Sequence, residues 1–288
     1  MPVKYREKKG GQSFPLMVME GSEYTPNKCV FRDDVLGVWL YLANCIEFMD
    51  MLIRQQPAGV FDIIFADPPY FLSNGGITCH AGKMVKVDKG RWDKSNGPEL
   101  NHEFNSAWIS RCQKLLKPNG TLWVSGTHHV IHSVGYAMQQ TGMKILNDIT
   151  WEKPNPPPNL SCRYFTHSTE TLIWAAKNDK SRHCFNYDIM RELNRGKQMK
   201  SVWTMTAPGK DEKVFGKHPT QKPVRLLEQV ILSCTHAGDL VFDPFAGSST
   251  TGVAAINLKR GFVGCELSPE FAALSTKRLE QAVMTRKE

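Results

Sequence analysis

Phe61-Asp62-Ile63-Ile64-Phe65-Ala66-Asp67-Pro68-Pro69-Tyr70 is the stretch whose reading decides the fold. Its first half is a short apolar run rich in Phe and Ile, the composition of a strand buried on both faces. An acid, two prolines and an aromatic follow where that strand ends, at the sheet edge where open α/β folds keep their ligands. Proline lacks the N–H that a ladder requires, so the chain turns there. A carboxylate and backbone carbonyls are thereby held beside a ring able to stack on a flat ligand.

Those groups suit methyl transfer to an exocyclic amine. The lone pair of an aromatic amine is delocalised into its ring, which makes the nitrogen a poor nucleophile. Two acceptors on its two hydrogens favour a pyramidal nitrogen and localise the pair. The Asp67 side chain and the Pro68 carbonyl are the candidate acceptors, with Pro69 fixing the turn and Tyr70 as the stacking ring. Holding a methyl donor in line then contributes several orders of magnitude in rate.

The bulk properties agree with an enzyme of nucleic acid. A chain of 288 residues, 41% of them hydrophobic, suits one large α/β domain or a domain with a substantial insertion. No apolar run reaches the ~18 residues of a membrane span, and the N-terminal region lacks the apolar core of a signal peptide. The expectation is a soluble, cytoplasmic protein with no membrane partner. The eight cysteines form no C-x-x-C pair, which argues against a zinc or disulfide framework and makes reduced, partly buried thiols the expectation. No carboxylate cluster has the spacing of a nuclease metal site, so no metal is expected. The net charge of +8 points to a polyanionic partner.

Outward from the opening stretch, residues 1–28 read as a loose, basic N-terminal arm. A strand over 35–42 is followed by Ala43-Asn44-Cys45 and a helix paced by Ile46, Met49 and Leu52/Ile53, which Gly59 ends. Residues 71–103, Gly-bearing and aperiodic, read as a lid beside the site. Phe104, Trp108, Cys112 and Leu115 mark a helix with Asn101 as its cap. Lys117-Pro118-Asn119-Gly120 turns into a strand over 121–125, a helix runs over 130–140 to Gly142, and strands follow over 145–151 and 171–176. Between those two strands lie a stiff Pro-rich segment, 153–159, and Arg163, Tyr164 and Phe165, a cationic and aromatic mixture that suits a nucleic-acid strand. Residues 177–222 carry 11 Lys/Arg against five Asp/Glu, with helical periodicity only at 187–193. A basic insertion of this kind supplies phosphate contacts.

The last third is the most legible. His218-Pro219-Thr220-Gln221-Lys222-Pro223 leads into a helix with Val224, Leu227, Ile231 and Cys234 on one face, then Gly238 and a strand over 240–242. Asp243-Pro244-Phe245-Ala246-Gly247-Ser248-Ser249-Thr250-Thr251-Gly252 follows and opens another helix. Strand, small-residue turn, helix is the arrangement that admits a ligand against the sheet edge. The strand 261–265 ends in Glu266, about 20 residues on, where a carboxylate accepts from ribose hydroxyls. An adenosine-containing cofactor is the expected ligand. Ser268 caps the final helix, with Pro269 at its first position and Phe271, Leu274, Arg278 and Leu279 on its buried side.

The chain resembles the S-adenosylmethionine-dependent DNA amino-methyltransferases of the beta group, in which a motif matched by residues 67–70 precedes a cofactor turn matched by 243–249. The likeness covers about residues 29–284. Segments 67–76, 158–170 and 216–223 look closest to DpnA-type adenine-N6 methyltransferases of GATC restriction systems, with the GANTC enzymes next. The resemblance implies a Rossmann-like, mostly parallel, circularly permuted seven-stranded sheet with a basic DNA-recognition insertion. Its parts are a catalytic half at 29–176, a target-recognition region at 177–217 and a cofactor half at 218–288. It implies Asp67, Pro68, Pro69 and Tyr70 as catalytic residues. It implies cofactor contacts from Asn44, Cys45, Asp67, Thr220, Lys222, Asp243, Phe245, Ala246, Gly247, Ser248, Ser249 and Glu266, with the Asn44 amide on the adenine. Many relatives have Gly where Ser249 stands. Asn155, Arg163, Asn194 and Gln198 have the donors and acceptors to read base edges, and Arg191, Arg195, Lys197 and Lys200 are candidate phosphate contacts. The expected partner is double-stranded DNA, with single-stranded DNA as an alternative substrate and a homodimer as a fit to a palindromic site. Asp at position 67 favours adenine over the alternative, a cytosine-N4 enzyme. The motif order and the basic insertion argue against RNA-adenine and protein-glutamine methyltransferases.

Overall fold

A computed structural model describes residues 27–73, 77–80, 83–86 and 93–287. The expected arm, apart from Asn27 and Lys28, and much of the expected lid lie outside the described residues. The chain opens with β1 (Asn27–Asp33), β2 (Val38–Ala43), α1 (Cys45–Gln55) and β3 (Phe61–Ala66). A two-stranded hairpin, β4 (Ile77–His80) with β5 (Lys83–Lys86), precedes α2 (Pro98–Leu115) and β6 (Leu116–Gly126). Then come α3 (Ile131–Gln140), β7 (Lys144–Glu152), β8 (Thr169–Ala176), α4 (Tyr187–Leu193) and β9 (Val202–Thr204). The chain closes with α5 (Val224–Cys234), β10 (Leu240–Asp243), α6 (Thr250–Asn257), β11 (Gly261–Glu266) and α7 (Pro269–Lys287).

One sheet of nine strands, in the order β1-β2-β11-β10-β3-β6-β8-β7-β9, organises the fold. The expected seven run from β2 to β7, and one further strand is added at each edge. Neighbours from β2 across to β6 are parallel, whereas β8 is antiparallel to both β6 and β7. Helices α1–α3 cover one face and α5–α7 the other, so β3 is buried on both sides. Ile64 and Ala66 join Phe48, Trp108 and Met138, while Ile63 and Phe65 join Leu227, Ala254 and Leu279. Gly59 delivers the chain into β3 with φ +81, and a Cβ there would lie 2.1 Å from the Leu116 carbonyl oxygen, so only glycine fits.

Two local expectations are corrected, the start of β2 and the cap of α2. Val35 is 83% exposed in a turn ahead of β2, because the strand begins only where Val38 can turn inward. Helix α2 starts at Pro98 behind Gly97, and Asn101 sits one turn inside it, donating from Nδ2 to Ser95 Oγ at 2.9 Å. The basic region is continuous with the sheet, since β9 pairs in parallel with β7 and buries Trp203. Among the described residues, no helix is long and apolar enough to cross a membrane.

Candidate active site

Strands β3 and β10 are parallel neighbours, with Ile63 opposite Val241 and Ile64 opposite Phe242, so both end at one sheet edge. Residue 67 and the turn that starts at Asp243 therefore emerge side by side. Against that edge lies a cavity of about 650 Å³, lined on one side by Asn44, Cys45 and Phe104 and on the other by 243–248, 250–251 and 265–269. Its volume falls in the ~300–1,000 Å³ range of small-molecule sites.

The turn is held from beneath by its own acid and from behind by α7. Asp243 Oδ1 accepts from the Phe245 N–H at 3.0 Å and Oδ2 from the Thr251 hydroxyl at 2.6 Å. Burial pushes the Asp243 carboxyl up to about 7, with the Thr251 and Phe245 bonds opposing. From α7, Ser275 Oγ donates to the Gly247 carbonyl at 2.6 Å, and Arg278 Nη1 donates to the Ser248 carbonyl at 2.6 Å and to Thr250 Oγ1 at 2.9 Å. Glu266 accepts from the Gly247 N–H and the Ser268 N–H, each at 2.8 Å, and burial raises its carboxyl. Asn44 caps α1, its Oδ1 accepting from Ile46 N–H at 2.9 Å, which leaves the amide NH₂ for the cavity. Phe245 stands edge-on to Trp108 at 5.4 Å.

Ser249 departs from its expected place. It is fully buried behind the turn with φ +53, and Oγ has no protein partner. That backbone region favours glycine.

At the end of β3, Asp67 is enclosed in a polar network. Tyr70 donates its hydroxyl to Asp67 Oδ1 at 2.6 Å, and Lys222 Nζ donates to Oδ2 at 2.6 Å and to the Tyr70 oxygen at 3.1 Å. On the far side stands Glu170, the second residue of β8, with Oε2 3.2 Å from the Tyr70 hydroxyl and 3.5 Å from Lys222 Nζ. Lys153 Nζ donates to its other oxygen. Burial raises Asp67, with Lys222 opposing and Glu170 adding to the rise. Burial would raise Glu170 too, but Lys222 and Lys153 outweigh it and hold that carboxyl down at about 2. Lys222 is raised, because Asp67 and Glu170 together overcome its desolvation.

A second cavity of about 260 Å³ opens beside this network, lined by Tyr70, Trp151, Lys153, Glu170 and residues 218–222. His218, Thr220 and Lys222 line both cavities. The chain after Tyr70 is wrapped around one buried carboxylate. Asp93 accepts from the backbone N–H groups of Tyr70 at 2.8 Å, Phe71 at 2.8 Å and Leu72 at 3.1 Å, and from Ser73 Oγ at 2.9 Å. Sequence reasoning missed Asp93, Glu170, Lys153, His218 and Phe104 as parts of the site. Lys153 opens the Pro-rich segment 153–159, and that segment's composition was the available signal.

The expected DNA contacts do not converge on the cavities. Asn155, Arg163, Arg191, Arg195, Lys197, Gln198 and Lys200 are all exposed. Arg191 is engaged in a local turn, donating to the Gly196 carbonyl at 3.2 Å, and half-buried Asn194 is engaged likewise, its Nδ2 donating to the carbonyls of Lys197 at 3.2 Å and Gln198 at 3.0 Å. Among the described residues, no three His, Cys, Asp or Glu are grouped so as to hold a metal ion.

Comparison with known proteins places this geometry. The DNA methylase family profile matches residues 61–277. The chain is 60% identical over 230 residues to the type II methyltransferase M2.DpnII of Streptococcus pneumoniae, covering 80% of this chain and 85% of that one. It is 50% identical over 254 residues to the type II methyltransferase M2.MboI of Moraxella bovis, covering 88% and 92%. Among solved structures, the M1.HpyAVI–SAM complex matches with a TM-score of 0.64 at 29% identity, over 83% of this chain and 98% of that one. The cytosine-N4-specific PvuII DNA methyltransferase shares the fold, with a TM-score of 0.64 at 19% identity over 87% of this chain and 92% of that one.

Proposed function

The chain belongs to the DNA methylase family, and from that premise we propose that it methylates the N6 amine of adenine in 5′-GATC-3′, with S-adenosylmethionine as donor. The observation that carries the reading is the Asp67 carboxylate, which lines the cavity formed by the 243–248 turn and is hydrogen-bonded to Tyr70 in the wall of the smaller cavity. When bound, S-adenosylmethionine supplies an electrophilic methyl group. The larger cavity fits such a group: Glu266 offers remaining lone pairs to a ribose, Phe104 and Phe245 offer ring faces or edges to an adenine, and Gly247 leaves room that a Cβ would take from His218. The base enters the smaller cavity after leaving the duplex. With Tyr70 stacked on its face, its amine reaches towards the larger cavity, where the Asp67 carboxylate and the Pro68 carbonyl accept its hydrogens.

The GATC target rests on the segment-level likeness to the DpnA-type enzymes and on identity to relatives named for DpnII and MboI. Base reading is assigned to exposed groups of residues 154–217, where a mismatch costs roughly 1–3 kcal/mol per base pair. Double-stranded DNA is the proposed substrate, with single-stranded DNA also accepted. A homodimer is the assembly that fits a palindromic site. Digestion of treated DNA with endonucleases that are blocked by, or depend on, methylated GATC tests the proposal. Full modification of GANTC with bare GATC moves the chain to the neighbouring specificity, and modification of cytosine overturns the reading of Asp67.

A further inference from the structure

Asp67 is to accept a hydrogen bond from the incoming amine, yet each of its oxygens already holds a donor and one of those donors is an ammonium group. Lys222 Nζ sits on Oδ2 at 2.6 Å and the Tyr70 hydroxyl on Oδ1 at 2.6 Å. The conflict is electrostatic as well as geometric. Positive charge develops on the amine nitrogen as it is methylated, and an ammonium group left beside it opposes that charge, whereas a bare carboxylate stabilises it.

The two occupying donors share a second acceptor. Glu170 Oε2 lies 3.2 Å from the Tyr70 hydroxyl and 3.5 Å from Lys222 Nζ. Glu170 is fixed on β8 with Lys153 on its other oxygen, and it lines the smaller cavity but not the larger. We propose that Glu170 is a positioning residue that takes Lys222 and the Tyr70 hydroxyl over from Asp67 when the target base arrives, so that the Asp67 carboxylate faces the amine without the ammonium group beside it. The inference rests on the amine-methylation reading above.

Charge bookkeeping within the network permits the exchange. Two carboxylates, Asp67 and Glu170, face two ammonium groups, Lys153 and Lys222, and the exchange only moves Lys222 between acceptors. No covalent bond is made or broken, since the Tyr70 hydroxyl only rotates. The ordering of the two acids suits the roles: Lys222 and Lys153 keep Glu170 ionised and attractive to cations, while Asp67 holds its charge less firmly. Asp243, from the neighbouring strand end, is the further acid coupled to Asp67.

The test uses the full-length enzyme and a GATC duplex, with single-turnover rates and the pH profile of kcat/KM, which reports groups of the free enzyme. Glu170→Gln should lower the single-turnover rate about tenfold or more while dissociation constants for cofactor and DNA stay within about twofold. Its acid limb should move to lower pH, because Asp67 loses a neighbouring negative charge and keeps Lys222 to itself. Glu170→Asp should restore most of the rate. Lys153→Gln should move the acid limb the opposite way, since Glu170 then competes harder for Lys222; this variant carries the test if Glu170→Gln does not fold. An unchanged rate in Glu170→Gln overturns the proposal. So does a lost rate with an unmoved acid limb and no recovery in Glu170→Asp, which is the mark of a packing role. Failure of the wild-type enzyme to methylate any amine overturns the reading beneath it instead, so the two failures are separable.

Discussion

The hydrogen bonds of Asp67 run to Tyr70 and Lys222, whereas the 243–249 turn is held by Asp243, Glu266 and α7. Asp67→Ala should therefore abolish methyl transfer and leave most cofactor affinity, because the turn keeps its own supports. Calorimetry with the donor, run beside a methylation assay, checks this; affinity lost in step with activity overturns the division. Asp243 gives a second prediction, in stability. Its carboxyl rises from an ordinary 3.8 to about 7 in the fold. Between those values the unfolded chain binds fewer protons than the folded one, so stability from this group is fully present below pH 3.8 and is lost as pH rises towards 7. The slope is at most about 1.4 kcal/mol per pH unit. Asp243→Asn keeps an acceptor for the Phe245 N–H and should flatten that part of the profile in urea titrations across the window. An unchanged difference from wild type between the two ends of the window counts against the assignment.

Helix α7 acts as a clamp on the cofactor turn, and it does so through side chains rather than through its terminus. Arg278→Met retains the apolar stem but loses the donors to Ser248 and Thr250. Bonds from a charged donor are each worth about 1.5–3 kcal/mol, so cofactor affinity should fall about tenfold or more, with the melting temperature reduced as well. Retained affinity shows the turn to be self-supporting. The loop after α4 gives the prediction for DNA. Neutralising Arg195, Lys197 and Lys200 together should lower affinity and flatten its dependence on salt, because each lost phosphate contact reduces counterion release. Arg191 should contribute less, being tied to the Gly196 carbonyl. The elements that were plain in sequence are those with a local signature: β3 and β10 as apolar runs, α4 by periodicity, and α7 by Ser268-Pro269. Strand β1 was missed because its residues are only half-buried, and β9 because three residues carry no period. Asp93 and Glu170 act on Tyr70 across 23 and 100 residues, and a partner that distant leaves no trace in the spacing of either.

Across the whole molecule, the order of the sheet separates what is close in space from what is close in the chain. Strands β11 and β10 lie between β2 and β3, although both follow residue 239. A ribosome therefore releases the two flanks of the sheet well before the pieces that join them. Until those pieces emerge, β2 and β3 each present an unpaired inner edge, and the edge of β3 is the apolar Phe61, Ile63, Ile64 and Phe65. Long unpaired edges of this kind invite pairing with other chains. A chain truncated after residue 217 should accumulate in the insoluble fraction or on chaperones, and pulse-labelled fractionation against full-length protein measures it; soluble, monomeric truncate argues that the flanks close on themselves. Synthesis thus imposes a sequence in time: the residues that meet the base are made early and stay inert, and the catalyst comes into existence only when the last quarter of the polypeptide slides into the middle of the first.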